Sequence, residues 1–372
     1  MTTDASAGTA AGAAVLDLAD IRIADVGRVG AKVARLGELA AAGWPVPDGY
    51  AVTVDALGDW LPAAARSELA RLFAEPDTGL LHRLSAHAQA LIESQPLPQW
   101  LAEEVTRAHE RLRARTGLGQ DLKVAVRSSA IGEDGAGASY AGQYATYLGL
   151  TDVADVLDHI RKCWASGFTA HALHYRSRAG EDELHTHDLA VGVLQLVDVR
   201  SAGVVFTLDP VSGNRDRMVI EANWGFGESV VSGHVTPDQW VVDKASGAIV
   251  SRTVGAKYVW SAFDPDAGKV VLAPLPGELS GQPCLDDDEV RYLCAKAAEI
   301  ERREGSPQDV EWAIARDIAL PASVFILQHR PETTWGEADP EPPTAPEPAA
   351  APAKAFDPVQ YALRNVFKVP GT

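Results

Sequence analysis

The chain has 372 residues, 46% of them hydrophobic, with a net charge of −18 and three cysteines. That length supports two or three packed lobes with sizeable cores, and the acidic balance excludes sequence-independent nucleic-acid binding, which needs a basic surface. No apolar run reaches the length that spans a bilayer, and cysteines without metal-ligand spacing fit a reducing cytoplasm.

Residues 1–19 carry Ala, Thr, Gly and Asp4 but neither a basic start nor a long apolar stretch, so they are expected to form a disordered leader rather than a secretory signal. Val33, Leu36, Leu39 and Ala40 recur at helical spacing and predict a helix over residues 29–42, stopped by Gly43 and followed by an extended exit at Pro45 and Pro47. Further helices are expected over 56–73, 80–94 and 97–115, a buried strand over 122–126, and a helix over 153–175. Cys163, between Lys162 and Trp164, reads as a small buried hydrophobe. Residues 189–208 are strand-rich, 218–222 and 239–242 read as strands, and 286–304 as a helix with Asp288 in its first turn.

Two strand-like runs then follow, 309–315 and 324–330. Alternation puts Asp309 and Glu311 on one face, and Gln328 and Arg330 on one face. A hairpin turning near Ala319 and Leu320 brings Glu311 opposite Gln328. Oxygen ligands suit magnesium and a guanidinium suits phosphate, which makes this a candidate magnesium–nucleotide site. A charged, exposed face on an edge hairpin is the competing reading. His329 falls on the opposite face, and His234 reads as a polar loop residue. Residues 336–355, rich in Pro, Ala and Glu, form a linker, and 356–372 recover a helical pattern that suits either a docking peptide or a frayed end.

Upstream, the strand ending in Arg127, Ser128 and Ser129 runs into a glycine-rich loop reaching Gly142. Backbone donors, serine hydroxyls and a guanidinium there make a polyphosphate cradle, though no Gly-Lys-Ser/Thr closes it as in a P-loop. In the central segment, Glu221 and Glu228 stand where a carboxylate contacts a ribose or a metal-bound water, or caps a turn.

In order along the chain, Val126-Arg127-Ser128-Ser129, Ser139-Tyr140-Ala141-Gly142, Val204-Val205-Phe206-Thr207-Leu208-Asp209-Pro210, Trp224-Gly225-Phe226-Gly227-Glu228, Pro307-Gln308-Asp309-Val310-Glu311-Trp312 and Leu327-Gln328-His329-Arg330-Pro331 resemble the motifs of the nucleotide-binding domain of the phosphoenolpyruvate synthase and pyruvate phosphate dikinase family. The resemblance covers residues 23–334. It implies an α+β, ATP-grasp fold with a nucleotide cleft between lobes, each with mixed or antiparallel sheet and helices. The N-terminal lobes would take 20–200, with the Lys32 segment and the glycine-rich loop, and the C-terminal lobe 201–335, with the metal hairpin. Lys32, Arg127 and Arg330 would bind ATP phosphates, with Ser128 and Gly142 in the phosphate loop and Glu228 near the nucleotide. Glu311 and Gln328 would hold Mg2+, and Asp309 would support the metal or the reacting phosphate. Lys32, Arg127, Arg330 and Asp309 are the catalytic candidates. Ala31, Val33 and Ile131 depart from the family pattern, the first two standing where glycines are usual.

Complete members of the family carry a phosphorylatable histidine in a Thr-Ser-His context, and none of the ten histidines here lies in one. The resemblance therefore implies an ATP-binding catalytic subunit of a split dikinase, phenylphosphate synthase being an example. Such a subunit releases AMP and phosphorylates a histidine-domain partner protein, which serves a small acceptor such as phenol or pyruvate. A stand-alone, antibiotic-type phosphotransferase and a non-catalytic nucleotide-binding subunit are the alternatives.

Overall fold

The computed structural model describes residues 13–73, 81–131, 145–170 and 189–335. Gly142 and the body of the glycine-rich loop, the leader as far as residue 12, the linker and the tail lie outside these. The chain divides into two compact units, one of residues 1–196 with 265–269 and one of residues 197–264 with 270–372.

In unit 1 a five-stranded antiparallel sheet runs in the order β1 (Val15–Asp17), β2 (Gly49–Val52), β5 (Leu189–Gln195), β3 (Val124–Ala130), β4 (Thr146–Leu150). Its helices are α1 (Val26–Ala41), α2 (Val54–Trp60), α3 (Ala63–Phe73), α4 (Leu81–Glu93), α5 (Gln99–Thr116) and α6 (Val153–Ser166). The single helix expected over 56–73 is two, because Pro62 has no N–H to continue the ladder and holds Leu61 extended. The helix expected over 153–175 ends at Ser166, and residues 171–175 lie outside the described ones.

One face of this sheet carries Val124, Val126, Val191 and Val193 against Leu101, Val105, Ile160 and Trp164. Each such side chain contributes roughly 1.5–3 kcal/mol by leaving water. Trp164 stacks on Trp60 with ring centroids 4.9 Å apart. Cys163 is fully buried, and burial pushes its thiol upward, as suits an inert core residue. The other face packs Val29, Val33, Leu36 and Leu194.

Within this core Tyr50 Oη lies 3.5 Å from His109 Nδ1. Burial, aided by Arg113, pushes the fully buried imidazole down to about 4. The unfolded chain therefore binds a proton near pH 6.5 that the folded chain refuses until about pH 4. This stabilisation is complete above pH 6.5 and is lost as pH falls through 4, about 3 kcal/mol in all. Denaturant melts between pH 7 and pH 4 should show this acid limb, and His109→Asn should flatten it.

Unit 2 is built on a six-stranded antiparallel sheet in the order β13 (Val324–Pro331), β12 (Gln308–Ala315), β6 (Val199–Phe206), β7 (Arg217–Trp224), β8 (Asp238–Asp243), β9 (Ile249–Thr253). A separate hairpin pairs β10 (Val259–Asp264) with β11 (Lys269–Pro274). A short α7 (Glu228–Val231) follows β7, and α8 (Asp287–Glu304) crosses β6, β7 and β12. Asp286 caps α8: its Oδ1 accepts from Asp288 N and Glu289 N, and Glu289 Oε2 accepts from Asp286 N. At the far end Gly305, at φ +74, supplies the left-handed cap.

Candidate nucleotide site

In unit 1 the candidate groups gather where α1 meets β3. Gly30 breaks α1 with φ +72, so the helix effectively restarts at Ala31 with Lys32 in its first turn. A Cβ at Gly30 would sit 2.2 Å from the Ser129 carbonyl oxygen, which only glycine avoids. Val33 N donates to Ser129 Oγ at 3.3 Å, fastening the restarted helix to the strand. Gly30 thus allows the close approach of α1 to β3, while Ala31 and Val33 still stand where the family has glycines. Val33 instead fills the space over Gly192, beside the Arg127 stem. Lys32 lies in the first turn of the restarted helix and Arg127 on the adjoining strand, and the helix dipole adds positive potential at that helix start.

Ser128 lies on the other face of β3. Its backbone N–H and its hydroxyl both donate to the Ala145 carbonyl, at 3.2 and 3.1 Å. Ser129, not Ser128, shares the Arg127 face. Period-two alternation, applied to β12 in the sequence, would have separated the two serines had it been applied here.

In unit 2 the hairpin of β12 and β13 pairs Asp309 with Arg330 and Glu311 with Gln328. A bulge follows, so that Trp312 pairs with Ile326 and Leu327 is the extra residue. The expected pairing of Glu311 with Gln328 therefore holds, and Asp309 with Arg330 follows it. His329 falls on the opposite face, 2% exposed, with Nδ1 3.1 Å from Gln308 Oε1.

Arg330 Nε donates to Asp309 Oδ2 at 3.2 Å. Asp309 is nearly buried, and burial pushes its carboxyl up to about 6 against the pull of Arg330. Its Oδ1 is buried without a hydrogen-bond partner among the described residues. An orphaned carboxylate oxygen beside another carboxylate and an amide oxygen is a donor set for a hard cation. Among the described residues no group of three or more His, Cys, Asp or Glu forms a metal cage. Magnesium does not need one, since it keeps waters and takes phosphate oxygens beside one or two carboxylates. The residues present fit Mg2+.

Glu228 is exposed at the start of α7. It follows Gly225, at φ +74, and Gly227, whose added Cβ would lie 3.6 Å from Ala202 Cβ. Glu221 projects from the same sheet face as Glu311, across Val204. Gln239 Nε2 donates to its Oε1 at 3.1 Å, and burial pushes the carboxyl up to about 7. The sequence leaves the role of Glu221 open. What locates it is register across three strands, which no local motif contains.

Comparison with known proteins identifies the family of the chain. The family model described as the pyruvate phosphate dikinase AMP/ATP-binding domain matches residues 26–350. A probable phosphoenolpyruvate synthase of Methanothermobacter thermautotrophicus is 40% identical over 321 residues, 85% of this chain and 46% of that protein. The phosphoenolpyruvate synthase of Pyrococcus furiosus is 34% identical over 388 residues, 93% of this chain and 46% of that protein. A rifampicin phosphotransferase from Streptomyces is 37% identical over 328 residues, 87% of this chain and 36% of that protein. The chain spans less than half the length of these relatives.

Proposed function

The chain belongs to the pyruvate phosphate dikinase AMP/ATP-binding family, and from that membership we propose that it is the ATP-binding catalytic subunit of a dikinase-type phosphotransferase. It binds ATP, releases AMP and phosphorylates a histidine on a partner protein, which then serves a small acceptor such as phenol or pyruvate. The observation that carries this reading is the hairpin, where Asp309, Glu311, Gln328 and Arg330 share one face in a register that needs no rearrangement.

Lys32, Arg127 and Arg330 neutralise phosphate oxygens, which is most of what phosphoryl transfer asks of a protein. Glu311 and Gln328 would hold Mg2+, with Asp309 beside them. When bound, the ion supplies charge neutralisation at the phosphates. Arg330 also keeps Asp309 ionised, since its charge opposes the effect of burial on that carboxyl.

The 372 residues contain no Thr-Ser-His motif, and the nucleophile in this reading comes from a histidine domain of the kind the family resemblance implies. A cytoplasmic setting accords with three buried free cysteines. No helix among the described residues is long and apolar enough to cross a membrane. A second reading, direct phosphorylation of a small molecule, draws on the likeness to a rifampicin phosphotransferase.

The test mixes the chain with a Thr-Ser-His domain protein, magnesium and ATP labelled in the β-phosphate. AMP and labelled histidine on the partner are expected. A phosphorylated small molecule made by the chain alone would favour the second reading, and absence of AMP under every pairing would end the first.

A further inference from the structure

β13 is the outermost strand of the unit 2 sheet, held in the ladder from β12 alone. Arg330 is its penultimate residue. Pro331 follows, with no N–H to give, and forms the last rung opposite Gln308. Strand ends of this kind are where local opening begins. Asp309 is a loose tether for the guanidinium. Nε and a terminal nitrogen of Arg330 both lie 3.2 Å from the same oxygen, Asp309 Oδ2, beyond the roughly 2.7–2.9 Å of a tight charge-assisted bond. The placing of the strand end itself therefore decides where this side chain goes.

A clasp lies just beyond. Glu332 N donates to Pro307 O at 2.9 Å. The Glu332 carboxylate is buried, with Oε1 accepting from Thr334 N at 2.7 Å and Oε2 from Trp335 N at 2.8 Å. Its charge is near enough to act on Asp309, but an oxygen committed to each backbone donor suits a brace. The turn so formed carries Trp335 to the loop between β6 and β7, where its Nε1 donates to Pro210 O at 3.0 Å. The indole lies against Gly213, at φ +73, where an added Cβ would stand 2.6 Å from Trp335 Cε3. Only glycine leaves room for the ring there.

The loop is a firm seat. Asp209 Oδ1 accepts from Val211 N at 2.9 Å, Asp209 Oδ2 from Ser212 Oγ at 2.6 Å, and Asp209 O from Gly213 N at 2.8 Å. It leaves β6 beside Asp309: Phe206 stands opposite Asp309, Thr207 N donates to Gln308 O, and Gln308 N donates to Thr207 Oγ1. Trp335 thus bridges from the end of β13 to the end of β6, with the start of β12 between them. The tie encloses the rung that carries Asp309 and Arg330.

We propose that Trp335, turned by Glu332 and seated on Gly213, is a positioning residue that holds Arg330 where it meets the phosphates of the nucleotide. The inference rests on the nucleotide-binding reading above and deepens it by naming what sets the arginine. It needs neither AMP release nor a histidine partner.

The probes are magnesium–ATP and adenosine, which has the base and ribose but no phosphate, titrated calorimetrically into the full chain. Trp335→Ala should weaken magnesium–ATP about tenfold, the value of one hydrogen bond to a charged group, and leave adenosine within about twofold. Gly213→Ala, which pushes the indole off its seat, should show the same selective loss. Trp335→Phe, which keeps a ring on Gly213, should recover most of the affinity. In an Arg330→Ala background, Trp335→Ala should cost less than about twofold, because the group it positions is gone. Trp335→Leu carries these comparisons should the alanine variant not fold. Equal losses for ATP and adenosine, or a tenfold loss undiminished in the Arg330→Ala background, would overturn the assignment and leave the nucleotide reading standing. A wild-type chain that does not bind magnesium–ATP removes both.

Discussion

Glu311→Ala should lower the rate of AMP formation by about 10³-fold or more with little change in melting temperature. Removing one preorganised electrostatic group from a charge-stabilising site costs about 10²–10³ in rate, and here the group lost would also be a metal ligand. The side chain is partly exposed at its strand position, and its neighbour Val204 packs into the cluster with Phe206 and Val219. Truncation therefore opens no deep cavity. Arg330→Ala should be equally inactive but less clean. It strips Asp309 of the cation that opposes its desolvation, so that carboxyl rises further and the buried Oδ2 loses its donor. An unsatisfied buried polar group costs about 1–3 kcal/mol, so this variant should melt lower than Glu311→Ala. Initial rates with β-labelled ATP, paired with melting curves of both variants, check the contrast. Near-normal AMP formation from Glu311→Ala would remove the hairpin from the site.

The hairpin was legible because two short rules suffice for it: alternation along each strand, and a turn that fixes the pairing. Both act within a stretch of about 20 residues, and Glu311 with Gln328 came out paired as those rules require. Periodicity located individual helices and strands, and the α+β, ATP-grasp assignment came from motif order through the family resemblance. What stayed hidden depends on contacts distant in sequence. Glycine at position 30 is needed because a strand almost a hundred residues away presses on it, and a local reading sees only a helix start. Ser128 and Ser129 look equivalent until the sheet assigns each a face. β1, β2, β4, β9, β10 and β11 were missed, β1 within the residues expected as a leader: each is three to six residues long and all but β2 are partly exposed, so none shows a clear apolar pattern. Glu221 carries no motif, and its position beside Gln239 is a property of the assembled sheet.

The buried pair of Asp238 and Lys257 should matter more to stability than any surface charge in the chain. Both side chains are 0% exposed and bonded to each other. Asp238 also accepts from Gly255 N at 2.9 Å and Cys284 N at 2.8 Å. One carboxylate thereby ties the start of β8, the loop before β10 and the approach to α8. Exposed ion pairs contribute about 0–1 kcal/mol, whereas removing one partner of a buried pair costs about 3–5 kcal/mol because the other charge is stranded. Asp238→Ala strands an ammonium and two backbone N–H groups, while Lys257→Met strands a carboxylate that keeps both backbone donors. Asp238→Ala should therefore be the worse, losing about 4 kcal/mol or more, or roughly 10 °C in a unit of this size. The double variant should be less destabilised than the sum of the two, because it leaves no lone charge. Urea unfolding of the two single variants and the double variant measures this directly. A Lys257→Met loss below about 1 kcal/mol would mean that the backbone donors alone sustain Asp238, and that the ammonium merely fills space.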